Sequence, residues 1–239
     1  MTTLLLRLAG PMQSWGIDSK VDVRSASAHP SKSGVIGMIA AAMGRSREDP
    51  LDDLRSLRFG VRVDQPGTLL RDYHTVHHQE IEKRAYITER YYLEDALFLV
   101  GLEGDDGLLE AVDRALRNPY YPLFLGRRSC PATGRLSLGN RSVPLEEALR
   151  DEPWLASSWY MRRHPDVELE ITMDSDGPDG YMIRDEPLSF SQKRREYGFR
   201  KVETSGVPKN RSAPCRERET DHDALKDLEV LRCTYLVWS

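Results

Sequence analysis

Leu4-Leu5-Leu6-Arg7-Leu8-Ala9-Gly10-Pro11-Met12-Gln13-Ser14-Trp15-Gly16 is the stretch on which the reading of the fold turns. Its apolar first half predicts a buried strand near the N-terminus. Gly10-Pro11 ends that strand, because proline has no ladder donor and fixes its own φ. A turn needs glycine and polar residues, but it does not need a tryptophan beside a glutamine. Gln13 and Trp15 set an amide edge and a stacking plane together at the strand exit. That pairing suits a nucleobase, and it also suits a plug in the core.

Beyond a polar stretch holding Lys20 and Arg24, Pro30-Ser31-Lys32-Ser33 leads into the apolar run 34–44. This predicts a buried helix with Ser31 or Ser33 as N-cap and Gly44 as its stop. The free N–H groups of its first turn, with Lys32, predict an anion site. Residues 57–64 alternate as a half-buried strand, 69–76 follow as the next, and 96–102 read as a buried one. Residues 77–90 are polar and mixed in charge, which predicts an excursion or a hairpin. Residues 107–117 carry a helical apolar stripe ended by Asn118-Pro119. The order β, α, β, β with an insertion, β, α is an α+β pattern close to a ferredoxin-like βαββαβ unit plus an extra hairpin. Residues 120–131 are expected to supply its last strand and a tight basic turn. From about Ala132, short strands at 158–161 and 167–173 lie among Pro, Gly and Asp clusters. That texture predicts a smaller β-rich unit with a mobile loop near 174–182. Residues 193–218 are basic, the sign reverses from Glu219, and 230–238 is a candidate last strand.

With 239 residues and 39% hydrophobic content, the chain can bury a real core. The net charge of -4 excludes a whole-chain basic footprint, so any nucleic-acid surface must be local. No apolar stretch approaches the ~20 residues of a membrane span. Met1-Thr2-Thr3 lacks a basic region and Arg7 interrupts the first apolar run, which argues against a signal peptide. Cys130, Cys215 and Cys233 are odd in number without CxxC spacing, which fits a reducing cytoplasm.

Gly126-Arg127-Arg128-Ser129 joins a glycine that lets a ligand approach the backbone to two guanidinium forks and a hydroxyl that grip phosphate. The competing reading is a solvated turn whose arginines pair with surface acids. His74, His77 and His78 invite a metal, but no HExxH-type or cysteine partner accompanies them, which favours edge histidines. His74, Tyr73, Lys83 and Tyr86 supply the residue types of a metal-free ribonuclease. Arg90-Tyr91-Tyr92 and Tyr120-Tyr121 set aromatics near arginines, as in base stacking and as in ordinary strand rims. Residues 193–218 either track a phosphate backbone or form a solvated strand and tail. Walker A, GxGxxG and GxSxG patterns are absent, so no cofactor, metal or catalytic set is expected.

Four segments together resemble, in the same order, the CasD family of type I-E CRISPR Cascade subunits. They are residues 4–16, Pro30-Ser31-Lys32-Ser33-Gly34, Leu70-Arg71-Asp72-Tyr73-His74-Thr75-Val76 and Leu125-Gly126-Arg127-Arg128-Ser129-Cys130-Pro131. This group sits within the fifth CRISPR-associated protein family of the repeat-associated mysterious protein superfamily. The resemblance runs from residue 1 to about 135 and more weakly to about 203. It implies a ferredoxin-like (RRM-like) domain over 1–135 with a thumb hairpin at about 77–92. A small β-rich subdomain over 136–203 and an extension over 204–239 would follow. The implied function is non-catalytic: gripping the 5′ handle of CRISPR RNA, capping the CasC backbone filament and contacting the large CasA subunit, in cytoplasmic antiviral defence. Target DNA is met only through the complex, and no membrane is involved. Residues and resemblance together place RNA contacts at Gln13, Trp15, Arg24, Lys32, Ser33, Gly34, Arg71, Tyr73, His74, Arg90, Gly126, Arg127, Arg128, Ser129, Lys193 and Arg194. The alternative, as in type I-C relatives, is a metal-independent endoribonuclease that processes repeat RNA; its Tyr, Lys, His set finds no matching motif positions here. A plainer option is an RRM-like protein-interaction module.

Overall fold

A computed structural model describes residues 1–16, 23–24, 27–77 and 85–208, with the backbone alone at 23–24, 76–77, 85–86 and 208. The opening apolar run is β1 (Thr2–Ala9). Leu4, Leu6 and Leu8 enter one core while Leu5 enters another on the opposite face, so the run is apolar because both faces are covered. Two short strands follow, β2 (Met12–Gln13) and β3 (Val23–Arg24). Helix α1 (Lys32–Ala42) is capped by Ser31, whose hydroxyl accepts from the Gly34 N–H, and it ends before Gly44 at φ +76°. The chain continues through α2 (Asp52–Arg55), β4 (Arg58–Gln65), β5 (Thr68–His77), β6 (Ala85–Glu94) and β7 (Leu97–Gly104). Then come α3 (Asp106–Arg117), β8 (Ser137–Arg141), α4 (Leu145–Asp151), α5 (Ser158–Arg163), β9 (Glu168–Asp174), β10 (Tyr181–Ser189) and β11 (Glu196–Pro208).

The chain is mixed α/β and mostly antiparallel. One sheet of seven strands runs β10-β11-β9-β4-β7-β1-β8, with every pairing antiparallel. In a second sheet β6 pairs with β5 and β2 antiparallel and with β3 in parallel. Helices α1 and α3 bury one face of the large sheet. On the other face, Leu145 and Leu149 of α4 come down over the facing pair Gly60 and Gly101. A Cβ at either glycine would lie within 2.7 Å of a leucine methyl, so the helix sits as close as it does because those two positions have no side chain. Arg62, fully buried, pairs with Asp64 and donates to the carbonyls of Leu149, Glu152 and Pro153, closing the C-terminal end of α4.

The structure departs from the sequence reading in four places. Residues 120–131 supply a single bridge, Phe124 to Pro131, and the strand beside β1 is β8. Pro122, Gly126 and Pro131 interrupt any ladder there. Residues 158–161 are not a strand but the start of α5, where tertiary context overrides the β preference of Trp159 and Tyr160. Residues 136–203 do not form a sheet of their own: β8 flanks β1, and β9, β11 and β10 extend the large sheet past β4. Finally, β11 runs on to Pro208, beyond the point where an extension was expected. The candidate strand at 230–238 lies outside the described residues.

Candidate nucleic-acid interface

The strand exit turns inward. Gln13 and Trp15 are almost completely buried. The Gln13 amide donates to the carbonyls of Leu8 (3.1 Å) and Ala96 (2.7 Å), and its oxygen accepts from the Trp15 indole N–H at 2.9 Å. Neither presents an edge or a ring to a base, because the amide is spent on the strand ends and the indole on the core. They act as the plug. What they fix is the backbone beside them: Ser14 donates from its N–H to Leu125 O (3.1 Å) and from its hydroxyl to Tyr91 O (3.0 Å). Gly126 rests on this segment at φ +87°, and a Cβ there would stand 1.9 Å from Ser14 O. Glycine is thus required at the head of the Gly126–Ser129 turn by close approach as well as by conformation.

The anion site at the start of α1 exists, but the chain fills it. The Asp185 carboxylate accepts from Lys32 N (2.6 Å), Ser33 N (3.1 Å) and Ser33 Oγ (2.6 Å), and pairs with Arg200 at 3.0 Å. Lys32 Nζ, buried, reaches Asp174 at 3.2 Å and Glu186 at 3.1 Å. The Gly34 N–H goes to Ser31 Oγ. Lys32, Ser33 and Gly34 therefore hold β10 and β11 onto α1 rather than a phosphate. Nothing around Lys32 in the sequence signals that the anion is a carboxylate over 150 positions away.

The hairpin β5–β6 has two faces, and the register sorts its residues between them. On one face lie Arg71, Tyr73, Glu89 and Tyr91: Arg71 pairs with Glu89, and the Tyr91 hydroxyl donates to the same carboxylate at 3.2 Å. The hydrogen bond to Glu89 raises the Arg71 guanidinium above its ordinary value. On the other face Asp72 opposes Arg90, His74 opposes Thr88, and Leu70 opposes Tyr92. Asp72 is turned to His74 Nδ1 at 2.8 Å. Arg90 Nε and Thr88 Oγ1 are buried with no hydrogen-bond partner among the described residues. An unmet buried donor costs about 1–3 kcal/mol, so such atoms call for an acceptor.

The Gly126–Ser129 turn closes over this second face. The Arg127 guanidinium lies 4.7 Å above the Tyr92 ring, and Arg128 and Ser129 are exposed beside it. Tyr92 and Arg90 are two positions apart on one strand, roughly 7 Å between Cα atoms. His74, Arg90 and Tyr92 thus share one face of the hairpin with Asp72, and the Gly126–Ser129 turn meets that face where Arg127 covers Tyr92. The β3 backbone brings Arg24 into parallel register beside Arg90. Arg71 and Tyr73 are left on the opposite face, so Tyr73 and His74, adjacent in sequence, do not share a site. Lys193 and Arg194 lie apart, exposed on the turn into β11, with Arg194 paired to Glu196 at 3.2 Å. Thr88, two residues before Arg90 and four before Tyr92, shares their face, a period-two spacing that is readable in the sequence. Burial pushes the Cys130 thiol up, against weaker opposing contributions from Ser129 and Arg127. His78 and Lys83 lie outside the described residues, and among the described ones no cluster of three His, Cys, Asp or Glu is placed for a metal. No described helix is long and apolar enough to cross a membrane.

Comparison with known proteins converges on one group. The family described as CRISPR-associated protein (Cas_Cas5) matches residues 3–203. The CRISPR system Cascade subunit CasD of Escherichia coli (strain K12) is 37% identical over 177 residues, covering 63% of this chain and 77% of that protein. A solved structure described as "CRISPR RNA-guided surveillance complex" superposes with a TM-score of 0.73 at 34% identity, over 90% of this chain and 95% of that one. Another, "Crystal structure of Cas protein", gives a TM-score of 0.70 at 41% identity, over 87% and 95%.

Proposed function

The chain belongs to the CRISPR-associated Cas_Cas5 family, and from that premise we propose that it is a non-catalytic Cascade subunit that grips the 5′ handle of CRISPR RNA. The observation that carries the RNA role is the pair of buried polar atoms on β6, Arg90 Nε and Thr88 Oγ1, that have no partner among the described residues and share a strand face with Tyr92, where Arg127 meets the hairpin. A polyanion threaded between hairpin and turn supplies the missing acceptors. Arg128 adds an exposed fork for phosphate, and the Arg127–Tyr92 stack offers a planar platform for an unstacked base. We assign the body a ferredoxin-like arrangement, supported by the sheet order β8-β1-β7-β4 with α1 and α3 as the intervening helices. Within that body the β5–β6 hairpin is the thumb, and it spans 68–94 rather than 77–92. CasC and CasA are the protein partners this reading gives the chain, and it performs no cleavage itself.

The test is handle binding as a function of salt. Each phosphate contact removed lowers the slope of log K against log salt by roughly 0.7–0.9. Arg127→Ala with Arg128→Ala should weaken handle RNA and flatten that slope, and Arg90→Ala should do so independently. Unchanged affinity and slope in both variants would refute the groove. Discrete cleavage of repeat RNA in EDTA by the wild-type chain would refute the non-catalytic reading.

A further inference from the structure

A second surface of arginines and aromatic rings lies on the other sheet, at the β10–β11 edge of the seven strands. Alternation along β11 puts Val207 on the face buried by α4, and therefore also Tyr197, Phe199 and Lys201. Arg200 points the opposite way, its guanidinium 5.1 Å over the Phe59 ring in the α1 core. Past β9 the α4 face lies open: Phe199 is 64% exposed, and Met182, which faces Lys201 across the hairpin, is 59% exposed. Arg195 lies over the Tyr197 ring at 5.4 Å and donates to its hydroxyl at 2.6 Å. Arg184 donates to the Tyr197 carbonyl at 3.4 Å.

We propose that this open face of β10–β11 is a stacking platform for single-stranded nucleic acid, separate from the hairpin groove. Tyr197 and Phe199 are consecutive on one face, roughly 7 Å apart, a spacing that seats two successive splayed bases. Arg184, Arg195 and Lys201 border them, and among the described residues none of the three forms a salt bridge. Of the acids on β11, Glu196 is engaged by Arg194 and Glu203 by the Ser175 hydroxyl, while Asp176 and Asp179 lie exposed on the loop before β10, at the Lys201 end. Arg184 and Arg195 make the opposite end cationic, which favours a polyanion over a protein surface there. Exposed rings select unpaired bases over a duplex, whose bases are already stacked. The platform does not depend on the groove reading, since the two surfaces share no residue and lie on different sheets.

The experiment uses the full chain with fluorescein-labelled oligo-U and oligo-dT of about 15 nucleotides, a length within the usual single-strand footprint. Phe199→Ala should weaken binding at least fivefold or so, the lower end for losing one stacked base, with thermal stability unchanged because the ring is exposed. Arg195→Ala should lower the salt slope by roughly 0.7. Both effects should persist in the Arg127→Ala, Arg128→Ala background, where handle binding is already weakened. Tighter binding of oligo-dT would make the occupant a DNA strand, and tighter binding of oligo-U would make it RNA; either supports the platform. Unchanged oligonucleotide affinity in Phe199→Ala overturns it. So does a Phe199→Ala variant that keeps its oligonucleotide affinity but fails to co-elute with CasC or CasA, which would make the face a protein-docking surface.

Discussion

Asp185→Ala is the sharpest test of how the start of α1 is used. The carboxylate is 1% exposed and accepts from two backbone N–H groups, the Ser33 hydroxyl and the Arg200 guanidinium. Removing one member of a buried pair leaves its partners desolvated and unmatched, at a cost of about 3–5 kcal/mol. Arg200 keeps Asp174 at 2.6 Å, so the lower part of that range applies to the guanidinium, and the lost helix N–H acceptors add to it. For a chain of this size each kcal/mol moves the midpoint by roughly 2–4 °C, so the apparent Tm should fall by roughly 6–20 °C. Circular dichroism melts measure this, and handle-RNA titrations at low temperature measure function on the folded fraction. If Asp185 is structural, the salt slope of RNA binding stays at its wild-type value. If the helix start were a phosphate site that the carboxylate only occupies in the absence of RNA, deleting it would tighten binding and steepen the slope. A Tm within about 2 °C of wild type, or a steeper slope, would refute the reasoning.

Two further outcomes follow from the same geometry. Gly126→Ala places a methyl against Ser14 O in a left-handed backbone, so it should cost at least ~2 kcal/mol and weaken handle RNA by displacing the Arg127–Ser129 turn; urea denaturation and RNA titration check both, and an unperturbed variant removes the close-approach argument. Because burial raises the Cys130 thiol, less thiolate is present at any given alkaline pH; in a Cys215→Ser, Cys233→Ser variant, labelling by a disulfide reagent at mildly alkaline pH should be slow when folded and fast in guanidinium, and fast labelling of the native protein would contradict it.

The elements that declared themselves in the sequence were those whose local pattern and tertiary role agree. β1, α1, β4, β7 and α3 each carry an unbroken apolar run or a clean period, and each lies in the core where that pattern is used. The misreadings arose where a residue's partner is remote. Nothing near Lys32 announces that Asp185 and Glu186 will meet it, and nothing near Trp15 announces that Gln13 will cap its indole instead of reading a base. Tyr120–Pro131 has strand-like aromatics but too many ladder interruptions, and Trp159–Tyr160 has strand propensity but a helical setting. The candidate groove was legible as pieces, in Gly126-Arg127-Arg128-Ser129 and Arg90-Tyr91-Tyr92, but its assembly depended on which face of β6 each residue takes. A single-residue shift of register would have sent Arg90 to the side of Arg71.

A net charge of -4 is compatible with local basic surfaces, because surface charge is set by where the fold places each residue and not by the chain total. Several acids of the described body are consumed inside it, each together with a cation. Asp174, Asp185 and Glu186 are held by Lys32, Arg55 and Arg200 at the α1–β10 seam, Asp64 by Arg62 beneath α4, and Glu103 by Arg58 and the Leu145 N–H. Each such pair is neutral toward solvent and contributes little to the field outside. What remains exposed around the Gly126–Ser129 turn and along β10–β11 is then set by local residues, not by the chain total. The formal net charge therefore bounds nonspecific attraction at long range, while the short-range grip is decided by which cations the fold leaves at the surface without an acid beside them.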